Sequence, residues 1–213
     1  RAGLAWSDGR PLTAADFVYS ARRMLAPKLA SSHPENNLFF VRNARAYQAG
    51  RITDFAEVGV RSADERTVII TLERPASFFL SALTLFFPVS QTVIERHAPM
   101  DQRQSDWIRP GNLVGNGPFR LKQWRPHQDV VIERNPHYWG AASVRLNEVR
   151  FQPIESPTVE EAAFRNGLLH MTSTVPGQKI DVYTREQPEV LKSADDRGVY
   201  FYSFNVARPP LND

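Results

Sequence analysis

The chain has 213 residues, 42% of them apolar and 23% charged, and it contains no cysteine. It is long enough to bury a substantial core and is composed like a folded protein, while disulfide frameworks, thiolate metal sites and cysteine nucleophiles are excluded. The net charge of +3 comes from basic residues scattered among acids, as in Glu73-Arg74, Glu133-Arg134 and Asp195-Asp196-Arg197, so no nucleic-acid partner is expected.

RAGLAWSDGR opens the chain without an apolar leader region, a small-residue cleavage site or an initiator Met, and the sequence is expected to be an internal stretch of a longer one. Trp6-Ser-Asp-Gly-Arg-Pro11 has turn chemistry, with Gly9 free to take positive φ and Pro11 fixing an extended exit. Thr13 is an N-cap with Asp16 three residues on, and Phe17, Ala21, Met24 and Leu25 follow at helical spacing, which predicts an amphipathic helix over 14–25. A polar loop over 31–37 leads to a second helical stretch over 38–48, closed by Gly50. The β-branched segments 58–60 and 67–72 read as strands joined by a polar turn over 62–66.

The apolar run over 76–89 falls short of the ~20 residues that a membrane-spanning helix needs and reads as a buried helix. A short helix over 93–97 follows, then a loop rich in breakers over 110–118. A boundary or crossover between domains is expected near 88–116. Segments 119–124 and 130–134 resemble an antiparallel pair, with a further strand over 149–154. Ser156 or Thr158 caps a helix carrying Val159, Ala162, Ala163 and Phe164 that stops at Asn166-Gly167. Beyond it, a short strand over 168–172, a short helix over 178–186 and an aromatic strand over 199–205 complete an α+β pattern in two unequal parts.

Little in this pattern suggests chemistry. The five histidines (33, 97, 127, 137 and 170) are far apart and lack ligand spacing, so no metal is expected. There is no GxSxG elbow. Gly111, Gly115 and Gly117 match neither dinucleotide nor P-loop spacing and lead into a strand, so turn geometry explains them better than phosphate binding. The adjacent acids Glu160-Glu161 read as a solvated helix start, diverging by about 100° and unable to share a substrate. In a strand over 199–205, Tyr200, Tyr202 and Phe204 would share one face and Phe201 the other; core packing explains this, although two aromatic faces suggest that one borders a ligand or a second domain.

Several segments together resemble the family 5 solute-binding proteins of ABC importers, the oligopeptide- and dipeptide-binding group. Gly3-Leu-Ala-Trp-Ser-Asp-Gly-Arg-Pro-Leu-Thr-Ala-Ala-Asp-Phe-Val-Tyr-Ser20 is similar to their signature segment. Asn112-Leu-Val-Gly-Asn-Gly-Pro-Phe-Arg-Leu-Lys-Gln-Trp124, Val131-Ile-Glu-Arg-Asn-Pro-His-Tyr-Trp139, Phe151-Gln-Pro-Ile-Glu-Ser156, Phe164-Arg-Asn-Gly167 and Tyr200-Phe-Tyr-Ser-Phe-Asn205 with Pro210-Leu-Asn-Asp213 follow in the family's order. The resemblance implies a periplasmic-binding-protein type II-like fold, present in part. Residues 1–90 would be the family's additional small domain, without its N-terminal part. Residues 91–213 would be the central part of the first lobe up to the interlobe hinge, without the second lobe.

The function so implied is capture of oligopeptides in a cleft closed by hinge motion, as the substrate-binding component of a peptide importer, with no enzymatic step and no cofactor. The implied partners are a peptide ligand and an ABC permease in the inner membrane, and the full-length protein would be a monomer. Its place would be the periplasm, or the outer face of the membrane as an anchored lipoprotein. The same fold could instead hold a glycoside, nickel chelate or haem, or serve as the sensor domain of a transcription regulator.

By the same resemblance, His33, Ser173, Thr174, Phe201 and Asn205 are candidate ligand-binding residues. His33 stands where the oligopeptide-binding branch has a cleft tyrosine, and Ser173-Thr174 where it has a Tyr-Asn cleft wall. Phe201 and Asn205 match its aromatic strand and following asparagine. His33 reads equally as an exposed loop residue, and Ser173 and Thr174 as ordinary turn residues.

Overall fold

The computed structural model describes residues 2–31, 38–103, 105–194, 198 and 200–211. The chain gathers into two compact units, Arg1–Pro153 and Ile154–Asp213. Among the described residues no helix is long and apolar enough to cross a membrane.

In the first unit the opening turn forms as its residues dictate. Gly9 takes φ +87°, Trp6 N–H donates to the Arg10 carbonyl at 2.9 Å, and the Trp6 indole is buried. Helix α1 spans Ala14–Leu25, and the Asp16 carboxylate accepts from the Thr13 N–H at 2.9 Å, satisfying a donor at the helix entrance. Its apolar face delivers Ala21 and Leu25 to a core shared with Leu38, Val41, Ala44, Tyr47, Val58, Val60 and Phe79.

The helix expected over 38–48 is interrupted. A 3-10 turn over Leu38–Phe40 is separated from helix α2, Ala44–Gln48, by Asn43 at φ +62°. Tertiary backbone pairing explains the break: Arg42 N–H donates to the Thr71 carbonyl, and the Arg42 carbonyl accepts from Gly59, both at 2.9 Å. Groups used in this way cannot close a helical turn. Strands β1, Val60–Asp64, and β2, Thr67–Ile70, form the expected hairpin. The first strand runs on through Ser62-Ala-Asp64, with a bulge there, so the turn is tighter than predicted.

The apolar run over 76–89 is not one buried helix. It contains a single helical turn, α3, Phe79–Ala82, and a 3-10 turn over Leu83–Leu85. Only Phe79 is buried in it, while Leu80 and Phe87 are 79% and 71% exposed. A segment apolar on every side cannot turn all of them to a core that touches one side. The Thr84 hydroxyl, donating to the Ser81 carbonyl at 2.7 Å, also competes with regular helix bonding. Helix α4, Gln91–His97, follows as expected.

The antiparallel sheet consists of β3, Phe119–Arg125, β4, Asp129–Arg134, and β5, Glu148–Phe151, in that order. At its hairpin end the buried Asp129 carboxylate accepts from Arg125 Nε at 2.8 Å and Nη2 at 2.6 Å, and from Gln123 Nε2 at 3.0 Å. Arg150 Nη1 stands 3.3 Å away. The Arg125 hydrogen bond, outweighing the opposing effect of burial and aided by Gln123 and by the charges of Arg125 and Arg150, holds the Asp129 pKa at about 2.

That value lies below the ordinary ~3.9 of an unfolded Asp, so between the two the unfolded chain binds more protons than the folded one. Stability from this group is complete above the unfolded value and is lost as pH falls through about 2. The stability difference between the protein and Asp129→Asn, measured by urea unfolding, is therefore expected to be flat from about pH 7 to about pH 5 and to shrink between about pH 4 and pH 2. A difference independent of pH over that range would contradict the assignment.

Three of the segments that carry the family resemblance meet in this unit. Ser7 N–H donates to the Gly115 carbonyl at 2.8 Å, and Gly115 N–H to the Ser7 hydroxyl at 3.2 Å. Asn135, 0% exposed, donates from Nδ2 to the Gly117 carbonyl at 2.8 Å and accepts from the His137 N–H at 3.0 Å. A Cβ on Gly9 would stand 3.2 Å from the His137 ring. Of the glycines at 111, 115 and 117, only Gly111 needs positive φ, at +85°.

The second unit contains α5, Pro157–Arg165, capped by Ser156, whose hydroxyl accepts from the Val159 N–H at 3.4 Å. It stops at Gly167 with φ +72°. A 3-10 turn over Gly177–Lys179 leads into α6, Ile180–Glu186. Residues 168–172 form no strand, nor do the described residues of 199–205. A strand requires a neighbour's backbone ladder, and neither segment has one among the described residues, whatever its β-propensity. The Tyr200 and Tyr202 rings pack edge to face, 5.4 Å apart.

Candidate functional site

The acid pair at the start of α5 organises the second unit. Side chains at neighbouring helix positions diverge by about 100°, and the two carboxylates go to different partners. Glu160 accepts from the Ser173 N–H at 2.9 Å and the Ser173 hydroxyl at 3.0 Å. Glu161 accepts from the Tyr183 hydroxyl at 2.8 Å and from Arg165 Nε at 2.9 Å, one helical turn on. The solvated helix start expected from the sequence is thus incorrect: Glu160 and Glu161 are 9% and 5% exposed. Burial is tolerated because each carboxylate has two donors, and Glu160 also lies in the first turn, at the positive end of the helix.

Between these anchored segments lies a cavity of about 490 Å³, walled by residues of α5, of 170–175, of α6 and of 189–192. Phe164, Met171, Val175 and Leu191 give it apolar surface, and Ser173 and Thr174 bring polar groups to the same wall. The hydrogen bond to Glu161, then burial, then the charge of that carboxylate push the Tyr183 phenol above its usual range. It is a neutral donor at neutral pH, already committed to Glu161. Apolar area with a few polar groups suits retention of an organic solute.

The candidates chosen from the sequence separate here. Ser173 and Thr174 stand in the cavity wall. Phe201, 73% exposed, and Asn205 do not line it; the Asn205 side chain accepts from the Ala207 N–H at 3.1 Å and closes a local turn. His33 lies outside the described residues. Sequence reasoning missed Glu161, Phe164 and Tyr183. The i, i+3, i+4 spacing of Glu161, Phe164 and Arg165 was a usable signal, since it places them on one helix face.

The family described as bacterial extracellular solute-binding proteins, family 5 Middle, matches residues 1–213. The "Probable deoxycholate-binding periplasmic protein YgiS" of Escherichia coli K12 is 34% identical over 100% of this chain and 39% of its own length. The "Periplasmic oligopeptide-binding protein OppA" of the same strain is 32% identical over 98% of this chain and 38% of its own length. Among solved structures, Haemophilus influenzae OppA in complex with RPPGFSPFR is similar with TM-score 0.85 at 28% identity, covering 100% of this chain and 41% of that one. The chain therefore spans about two fifths of the length of the curated relatives it matches.

Proposed function

The chain belongs to the family 5 bacterial extracellular solute-binding proteins, and on that premise we propose that it is part of a peptide-capturing component of an ABC importer. The full-length protein takes up oligopeptides in a cleft closed by hinge motion and delivers them, as a periplasmic monomer, to a permease in the inner membrane. Residues 1–90 belong to the additional small domain in this reading and 91–213 to the central part of the first lobe. Ser173, Thr174, Phe201, Asn205 and His33 are its ligand contacts. The observation that carries the reading is the cavity wall at Ser173-Thr174, where a segment selected from the sequence for ligand contact lines an open, mostly apolar space.

One relative is named for a bile acid, and the apolar wall of Phe164, Met171, Val175 and Leu191 would also suit an amphipathic steroid. Titration calorimetry on the full-length protein separates the two, using an equimolar mixture of three- to five-residue peptides in one series and deoxycholate in another. Peptide binding is expected, with a rise in unfolding free energy of about 2.7 kcal/mol at a hundredfold excess over Kd. Binding of deoxycholate with no heat from any peptide would replace the peptide reading with the second one.

A further inference from the structure

Glu160 does not line the cavity, yet both oxygens of its buried carboxylate are spent on one residue that does. Ser173 Oγ donates to one oxygen at 3.0 Å and Ser173 N–H to the other at 2.9 Å. Hydrogen bonds to an ionised carboxylate are about twice as strong as neutral ones, and a pair closing on one residue holds its backbone and its side chain together. Segment 168–175 has no helix or strand ladder of its own. Two bonds to a helix that is rigid by its own hydrogen bonding are therefore a large part of what orders it.

We propose that Glu160 is a positioning residue for ligand capture: it holds Ser173 so that the 173–174 wall keeps one conformation, and the cavity is preformed rather than shaped by the incoming solute. This deepens the peptide-binding reading and rests on it. The geometry also divides the work between the two neighbours. Ser173 uses both of its donors on Glu160 and acts as the tether. Thr174, exposed in the cavity wall, offers its hydroxyl to a ligand as a donor, and Ser173 meets the ligand through acceptor oxygens alone. A preformed wall raises affinity because the ordering entropy is not charged to the binding step.

The test uses the full-length protein and two readouts. Amide hydrogen exchange, without ligand, follows residues 172–175, with the β3 and β4 amides of the first unit as an internal reference. Glu160→Ala is expected to speed exchange at 172–175 by about ten- to a hundredfold and to leave the reference amides unchanged. Glu160→Gln, which keeps an acceptor for the Ser173 N–H, is expected to restore most of the protection.

Calorimetry with the three- to five-residue peptide mixture is the second readout. Glu160→Ala is expected to weaken binding about tenfold or more, and Glu160→Gln by less, at unchanged stoichiometry. Unchanged exchange at 172–175 in Glu160→Ala overturns the proposal whether or not peptides bind. Faster exchange with undiminished peptide affinity overturns it as well. Faster exchange in a protein whose parent binds no peptide supports the tether and overturns the peptide reading, which keeps the two apart.

Discussion

Gly59→Ala is expected to destabilise the first unit by about 2–4 kcal/mol. Gly59 is locked between two segments by backbone bonds: its N–H donates to the Arg42 carbonyl at 2.9 Å, its carbonyl accepts from Thr71 N–H at 2.7 Å, and Arg42 N–H donates to the Thr71 carbonyl at 2.9 Å. A Cβ there would overlap the Thr71 carbonyl oxygen and press on the Cβ atoms of Arg42 and Thr71, each at 3.1 Å. The obstacle is backbone, so no rotamer change relieves it, and at least one of the three bonds must lengthen. Overpacking of about 1–3 kcal/mol then adds to the loss of roughly 1 kcal/mol per weakened hydrogen bond. Gly115→Ala and Gly117→Ala are matched controls, because an added Cβ meets nothing within 4 Å at either position; each should change stability by less than about 0.5 kcal/mol. Urea unfolding of the three variants decides the matter, and a Gly59→Ala protein as stable as the controls would refute the close approach.

A comparable loss, about 2–4 kcal/mol, is expected for Asn135→Ala. The fully buried amide serves one donor and one acceptor at once, the His137 N–H at 3.0 Å and the Gly117 carbonyl at 2.8 Å. Truncation removes both bonds, each worth roughly 1 kcal/mol, and leaves a void where a fully buried side chain stood, which adds to the loss. Asn135→Asp gives a second, sharper result. At neutral pH a buried carboxylate oxygen would face the Gly117 carbonyl where an N–H now stands, so burial and repulsion raise its pKa in the folded state. A group with a raised folded pKa loses its contribution as pH rises and regains it as pH falls to the unfolded value near ~3.9. Asn135→Asp should thus be at least as unstable as Asn135→Ala at about pH 7 and should recover relative to it toward about pH 4. Equal instability of the two variants across that range would show that the Gly117 bond does not matter.

Most local elements follow from local chemistry. The Asp8-Gly9 turn, helix α1 with its Thr13 and Asp16 entrance, the β1–β2 hairpin, the β3–β4 pair and helix α5 ending at Gly167 stand about where capping residues, β-branched runs and turn residues put them. The motifs Trp6-Ser-Asp-Gly9, Val114-Gly-Asn-Gly-Pro118 and Asn135-Pro-His137 were readable as a resemblance. Their meeting in one hydrogen-bonded junction was not, because the partners are far apart in the chain. Of the site, the sequence pointed to Ser173 and Thr174 but not to the carboxylates behind and beside them. Glu160 and Glu161 looked like an ordinary solvated helix start because the donors that make their burial affordable, on Ser173 and Tyr183, lie 13 and 22 residues away.

The same distinction runs through the whole chain. Periodicity, caps and turn residues determine which short stretches become helix, turn or hairpin, since those forces act over one or two turns of chain. Motifs standing in the family's order along the chain identify the family. Long-range partnership decided the rest. Arg42 and Gly59 give their backbone groups to Thr71 and interrupt a helix that local propensity favoured. Residues 168–172 and the described residues of 199–205 remain without a ladder, because strand-forming side chains cannot supply the second strand. The acid pair, a solvated helix start by local pattern alone, is the buried anchor of a cavity wall because Ser173 and Tyr183 supply its donors.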